Sequence, residues 1–276
     1  MASPCEVQAD TEDVSLTRRL GRIAEAEAKR IEVKYSRYRD DSVTTLINTS
    51  RGQPIEVDGE TAALLDYADS CYKLSRGLFD VTSGVLRRVW RFDGSDNVPG
   101  QDEVRKILPY VGWSRVAWRR PVLMLPDGME IDFGGLGKEY AVDSAILKIM
   151  GESSVPALVN FGGDLRVSGP RTGNRRWLVA IESADGEGVS SARLELANGA
   201  LTTSGDARRF LLKDGVRYSH ILDPRNGWPV RDAPRSVTVT APTCLEAGII
   251  STLAMLQGKR AESFLRSEGV QGWIMR

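Results

Sequence analysis

The sequence predicts an α+β fold built as a single unit. Two observations lead there. Hairpin-like pairs of short β-rich runs outnumber strand–helix alternations, which argues against a regular βαβ array. A chain of 276 residues with 41% apolar residues can bury one sizeable core, and residues 1–276 show no compositional linker and no repeat.

The elements follow in order. Leu16, Leu20, Ile23 and Ile31 recur at helical spacing with charges between them, so residues 14–33 read as an amphipathic helix. Asp58 suits the cap of a second helix reaching Arg76, with Leu64, Leu65, Ala68, Cys71 and Tyr72 on its buried side. The polar stretch from Phe92 to Gln101 is expected as a surface loop. Val122–Leu125 reads as a short β-like run, and Met129–Phe133, after the turn Pro126-Asp127-Gly128, as another. After Gly134–Gly137 a helix places Ala141, Val142, Ala145, Ile146 and Ile149 inward. Strands are expected at Ala157–Phe161, Trp177–Glu182, Ala192–Leu196, Arg217–Ile221 and Ser236–Thr240. A helix over Leu245–Gln257 stops at Gly258, a residue suited to the position after a helix end, and a short amphipathic helix follows.

Composition narrows the function. Lys plus Arg and Asp plus Glu number 37 each, so charge offers no case for nucleic acid or an anionic membrane as partner. Cys5, Cys71 and Cys244 cannot build a disulfide framework and match no zinc spacing. His220 is the only histidine, which excludes sites built on several; a Ser-His-Asp hydrolase would have to use it. The N-terminus has no basic start and no apolar core of a secretory signal. The longest uncharged apolar run, Ala247–Gly258, is too short to cross a bilayer, so the expectation is a cytoplasmic protein.

Four segments carry polar chemistry. Met129–Asp143 runs from a strand-like stretch through a three-glycine turn into a helix near Lys138. Glycines there let backbone approach a ligand, and free N–H groups at a helix start favour phosphate. The pattern is neither a Rossmann fingerprint nor a Walker A loop, and a plain connection is the alternative. Leu201–Phe210 gathers hydroxyls, a glycine and Asp206, which an ordinary turn also explains. Tyr218–Pro229 sets His220 before an Asp-Pro turn; its pKa range suits a general base, with a structural histidine the alternative. Ala247–Thr252 offers a small-residue helix face that close packing alone explains.

Taken together these segments resemble the ApbE family of flavin transferases over nearly the whole chain. Tyr35-Ser-Arg-Tyr-Arg-Asp-Asp-Ser42 with Leu46 and Asn48 is similar to the family's N-terminal Ser-Arg-Tyr/Phe block. Gly77-Leu-Phe-Asp-Val-Thr82 through Leu86, followed by Trp90, is similar to its Gly-x-Phe-Asp-x-Thr block. Ile131-Asp-Phe-Gly-Gly-Leu-Gly-Lys138, Val159-Asn-Phe-Gly-Gly-Asp164, Thr203-Ser-Gly-Asp206 and His220-Ile-Leu-Asp-Pro-Arg-Asn-Gly227 complete the set in order. The resemblance implies a T-fold-like α+β architecture that binds FAD and uses Mg²⁺ to move its FMN half onto a threonine or serine of an acceptor flavoprotein, releasing AMP. Residue by residue it carries FAD contacts to Met1, Tyr38, Leu78, Phe79, Asp80, Asp132, Lys138 and Ile221. It sets Ser204, Gly205 and His220 around the reacting pyrophosphate. Tyr38 and Phe79 would offer ring surface, Lys138 and the glycine turn a cation and N–H donors for the diphosphate, and His220 the base for the acceptor hydroxyl. Lys138 and His220 are the catalytic candidates.

One departure bears on the metal. The family's late helix carries Ala-Asp-x-x-x-Thr, whose Asp and Thr share a face and, with an oxygen at the position of Gly135, hold the metal. Here the Asp position is Gly248, which leaves Gly135 and Thr252 as the matching metal positions; Glu139 stands where glycine is usual. Glu246 lies roughly 200° around the helix from residue 248 and cannot simply substitute. Gly248→Asp is therefore expected to restore a ligand, on the premise that the position faces the site rather than packed core. Glu246, Asp206 and Asp164 are the other acids open to a rebuilt site. Two further functions stay open: a flavin carrier or maturation factor that has lost transfer, and an FAD pyrophosphatase.

Overall fold

A computed structural model describes residues 4–182, 190–206 and 209–276. The α+β expectation holds. Six antiparallel strands form the central sheet in the order Cys5–Ala9, Ala157–Phe161, Asp164–Val167, Gly199–Gly205, Ser236–Ala241 and Gly272–Met275. Strand alternation divides its faces. Ala157, Val159 and Phe161 join the main core with the helices Val14–Tyr35 and Gly137–Glu152. Leu158, Leu165, Val167 and Leu201 point the other way, onto Trp177 and Val179 of the hairpin Trp177–Glu182/Ser190–Leu196.

Local chemistry starts the helices where the sequence signals them. Asp13 Oδ1 accepts from the backbone N–H of Ser15 at 2.8 Å and Leu16 at 3.0 Å, opening the first long helix. Asp58 does the same for Gly59–Leu74 through Glu60 and Thr61. The buried Glu27 accepts from Arg30, Lys148 and Ser144, while Arg30 and Lys34 also pair with Glu60. This network staples three helices together at one edge of the core. The late helix, Cys244–Leu256, packs on Gly199–Gly205 and Ser236–Ala241.

Some expectations shift. Met129–Phe133 joins no β-ladder. Val122–Met124 pairs instead with Ala117–Arg119 and Pro54–Glu56, and the Asn48 amide brackets Ile131, accepting from its N–H at 2.7 Å and donating to its C=O at 2.9 Å. A side chain thus takes both backbone groups that a partner strand would have used. The strand expected at Arg217–Ile221 spans Val216–Ser219, so His220 lies just beyond its end. Cys5–Ala9 and Asp164–Val167 are strands with no strong alternation in sequence to announce them. Among the described residues no helix is long and apolar enough to cross a membrane.

Candidate active site

The motif segments meet around one end of the central sheet. The first wall is made by the N-terminal blocks. Arg37 donates to the Asp132 carboxylate and to the Tyr38 hydroxyl, and its guanidinium lies 5.0 Å from the Tyr38 ring centre. The Tyr38 ring is thereby held in place although 80% exposed. Asp132 also accepts from Gly134 N–H at 2.9 Å, and its own N–H donates to Val81 C=O at 2.8 Å. Gly84 lets this approach happen, since a Cβ there would fall 2.5 Å from Asp132 Cβ. Leu78 and Phe79 are buried, and the Phe79 ring faces Gly135 across 3.5 Å of would-be Cβ contact. The Asp80 carboxylate accepts from Thr82 N–H and Oγ1 on one oxygen and from Trp113 N–H on the other. It caps the helical turn Val81–Arg88 and holds the segment's shape. Met1 lies outside the described residues.

The second wall comes from the sheet end and the helices that cover it. Lys138, at the start of Gly137–Glu152, forms an ion pair with Asp164, which is 2% exposed at the hairpin after Gly163. Burial opposes the Lys138 charge, but the carboxylates of Asp164 and Glu139 outweigh it and raise its pKa, so it remains an ammonium. Asp164 also accepts from Thr203 N–H at 3.3 Å. Ser204 Oγ lies 2.7 Å from Ser251 Oγ and 3.1 Å from Thr252 Oγ1, which joins the strand Gly199–Gly205 to the late helix. Gly205 is packed flat against its neighbour strand, where a Cβ would meet Arg235 C=O at 2.8 Å. Asp143 docks the two helices on each other: its oxygens accept from Cys244 and Leu245 N–H, both at 2.9 Å, and from Arg166.

His220 stands on a third element. Arg217 of the strand Val216–Ser219, which pairs with Phe210–Lys213, donates to the Asp206 carboxylate and backbone C=O, tying this hairpin to the end of Gly199–Gly205. His220 Nδ1 lies 3.0 Å from Arg209 C=O. A carbonyl only accepts, so Nδ1 carries the proton and Nε2 keeps its lone pair. Burial lowers the imidazole pKa, the Arg209 charge adding to the effect against the hydrogen bond, so the ring is neutral at pH 7. The Phe92 ring meets it edge-on at 6.2 Å. Ile221 packs with the late-helix cluster, and Trp90 Nε1 donates to Gly227 C=O at 2.8 Å, linking the Asp-Pro turn back to the first wall.

The space beside Gly248 is occupied by another side chain. Gly248 is buried, and a Cβ there would sit 2.7 Å from Glu139 Cγ and 3.2 Å from its Cδ and Oε1. The space of the missing Asp side chain is filled by Glu139, so Gly248→Asp requires the Glu139 side chain to shift. Glu139 Oε2 is buried without a hydrogen-bond partner. Burial raises the pKa of this carboxyl, and the facing charge of Asp164 adds to it. Glu246, by contrast, sits in the first turn, where its N–H donates to the Thr243 cap, and Asp206 is taken up by Arg217 and Arg235. Among the described residues no three His, Cys, Asp or Glu side chains converge, so a metal here would need hydroxyl or carbonyl oxygens beside carboxylate.

Comparison with known proteins gives the same pattern along the chain. The ApbE family model matches residues 1–274. A FAD:protein FMN transferase of Salmonella typhimurium is 31% identical over 85% of this chain and 70% of its own. One of Haemophilus influenzae with the same name is 28% identical over 85% and 71%. The crystal structure of the ApbE protein from Thermotoga maritima superposes with a TM-score of 0.87 at 31% identity, covering 97% of this chain and 88% of the other. The apo flavinyl transferase ApbE of Pseudomonas stutzeri gives 0.87 at 26% identity over 100% and 89%.

Proposed function

The chain belongs to the ApbE family, and on that premise we propose that it is a FAD:protein FMN transferase acting where these motif segments meet. The observation that carries the reading is the joining of the sequence blocks by side-chain contacts: Arg37 to Asp132, Lys138 to Asp164, Ser204 to Thr252, Trp90 to Gly227. FAD is the donor, and an acceptor flavoprotein offers a threonine or serine in a flavinylation motif. Tyr38 gives ring surface to the flavin side, and the buried Phe79 backs Gly135 from the core. The Lys138 ammonium and the Gly135 and Gly137 N–H groups of the turn face the diphosphate, those of Gly134 and Leu136 already donating to Asp132 and Phe133.

In the transfer step His220 Nε2 takes the proton of the acceptor hydroxyl as its oxygen attacks the FMN-side phosphorus. The bond from that phosphorus to the bridging oxygen breaks, and AMP leaves with the oxygen. Arg209 C=O holds the tautomer that keeps Nε2 basic. The residues present fit a hard divalent cation: Glu139 has a buried carboxylate oxygen without partner and fills the space at Gly248, and Thr252, one helical turn on, presents a hydroxyl paired with that of Ser204. When bound, Mg²⁺ would neutralise diphosphate charge.

Incubation with FAD and Mg²⁺, with and without an acceptor domain, tests the function by following AMP and protein-bound flavin. A transferase yields both, and covalent flavin only with acceptor. AMP without covalent flavin identifies a pyrophosphatase, and neither product identifies a carrier.

A further inference from the structure

Two features lie one helical turn apart on the late helix, at Gly248 and Thr252. The Glu139 side chain occupies the space beside Gly248, and its Oε2 is buried with no donor. Thr252 follows Gly248 by one helical turn on the same face, its hydroxyl 3.1 Å from Ser204 Oγ. Asp164 is already compensated by Lys138 and by Thr203 N–H. Among the described residues no cation pairs with Glu139, so two carboxylates face one ammonium. A buried carboxylate oxygen without a donor is costly unless a proton or a cation meets it.

Resting on the transferase reading, we propose that Glu139 supplies, from the helix Gly137–Glu152, the carboxylate ligand of a divalent metal beside Thr252, with Gly248 as the space that admits it. The ligand therefore comes from the helix opposite the one that carries Thr252. Carboxylate and hydroxyl oxygens are the donors a hard cation such as Mg²⁺ favours. The rival account is a proton shared between Glu139 and Asp164, which needs no metal and would survive Glu139→Gln. Gln keeps the shape and a hydrogen bond but removes the charge.

The test is calorimetric titration of MnCl₂ into the EDTA-treated full chain, with and without saturating FAD. Wild type should bind Mn²⁺. Glu139→Gln should weaken binding by ~100-fold or more, beyond what loss of an outer-shell partner costs, while its melting temperature in EDTA changes little. Gly248→Asp alone should not tighten binding. Glu139→Gly with Gly248→Asp should return affinity to within ~10-fold of wild type, because the two sites couple through one space. Wild type binding no Mn²⁺ in either condition, or Glu139→Gln binding like wild type, overturns the proposal. Flavin fluorescence reports FAD binding separately. A chain that binds Mn²⁺ through Glu139 but not FAD supports the ligand assignment and removes the transferase reading.

Discussion

Gly248→Ala separates the steric part of the Glu139–Gly248 relation from any metal. In an unobstructed helix interior the change would stabilise by about 1 kcal/mol. Here the new Cβ lands 2.7 Å from Glu139 Cγ and 3.2 Å from Cδ. Carbon atoms rest at roughly 3.5–4.0 Å, so the closest contact is short by about 1 Å. Overpacking of that kind costs about 1–3 kcal/mol. The net effect should be a loss of about 1 kcal/mol. With Glu139→Ala in place the obstacle is gone, and the same substitution should stabilise by about 1 kcal/mol. The coupling between the sites is then about 2 kcal/mol, within the range for residues in contact. Urea unfolding of the four chains in EDTA, without FAD, measures it. Gly248→Ala stabilising equally in both backgrounds would refute the packing argument.

His220→Ala should keep FAD affinity and lose FMN transfer by ~10²–10⁴-fold, the usual worth of a general base. Because burial lowers the imidazole pKa below its ordinary 6.5, the wild-type transfer rate should hold down to that pH and fall only below it; a rate insensitive to both changes returns His220 to a structural role. FAD should bind more tightly than FMN or riboflavin, since the proposed contacts span both ring and diphosphate; equal affinities by calorimetry remove Lys138 and the glycine turn from the site. Burial works against the Glu27 charge, but hydrogen bonds from Arg30, Lys148 and Ser144 outweigh it and hold the carboxyl at about 2. Its contribution to stability is present above the unfolded value of 4.5 and is lost as pH falls toward 2, so Glu27→Gln should flatten the loss of stability across that window.

Periodicity and caps made the helices readable: Asp58 sits where the sequence puts it, and Leu20 and Ile31 face the core as their spacing requires. Met129–Phe133 misled because its β-like composition is satisfied by a side chain, Asn48, from 83 positions away. Short strands such as Asp164–Val167 were obscured for a related reason. Asp164 is buried on the core face because Lys138 meets it there, and pattern alone scores such a residue as exposed. Of the proposed site residues, Tyr38, Asp132, Lys138, Ser204, Thr252 and His220 are all legible as motif members. What sequence could not supply was contact. Glu139 and Gly248 stood out as two separate departures, and only the packing of their helices shows that one fills the space of the other.

That packing gives Asp143, the last residue of the Met129–Asp143 segment, a positioning role. Were a carboxylate and Thr252 on one helix, their spacing would follow from helical rise alone. With the carboxylate on Gly137–Glu152, the spacing depends on how the two helices dock. Asp143 sets that docking, since it accepts from both Cys244 and Leu245 N–H at the start of the late helix. Removing it leaves two N–H groups of a helix end without their partner and frees Arg166. Asp143→Ala should therefore lower stability by about 2 kcal/mol, the scale for a strong cap. It should also weaken Mn²⁺ binding by ~10-fold under conditions where the chain remains folded, as loss of an outer-shell positioning group does. Asp143→Asn, which can still accept from one N–H, should fall between the two. A destabilised Asp143→Ala that binds Mn²⁺ with wild-type affinity would mean that the ligand spacing does not depend on this docking, and that the metal oxygens lie on one helix after all.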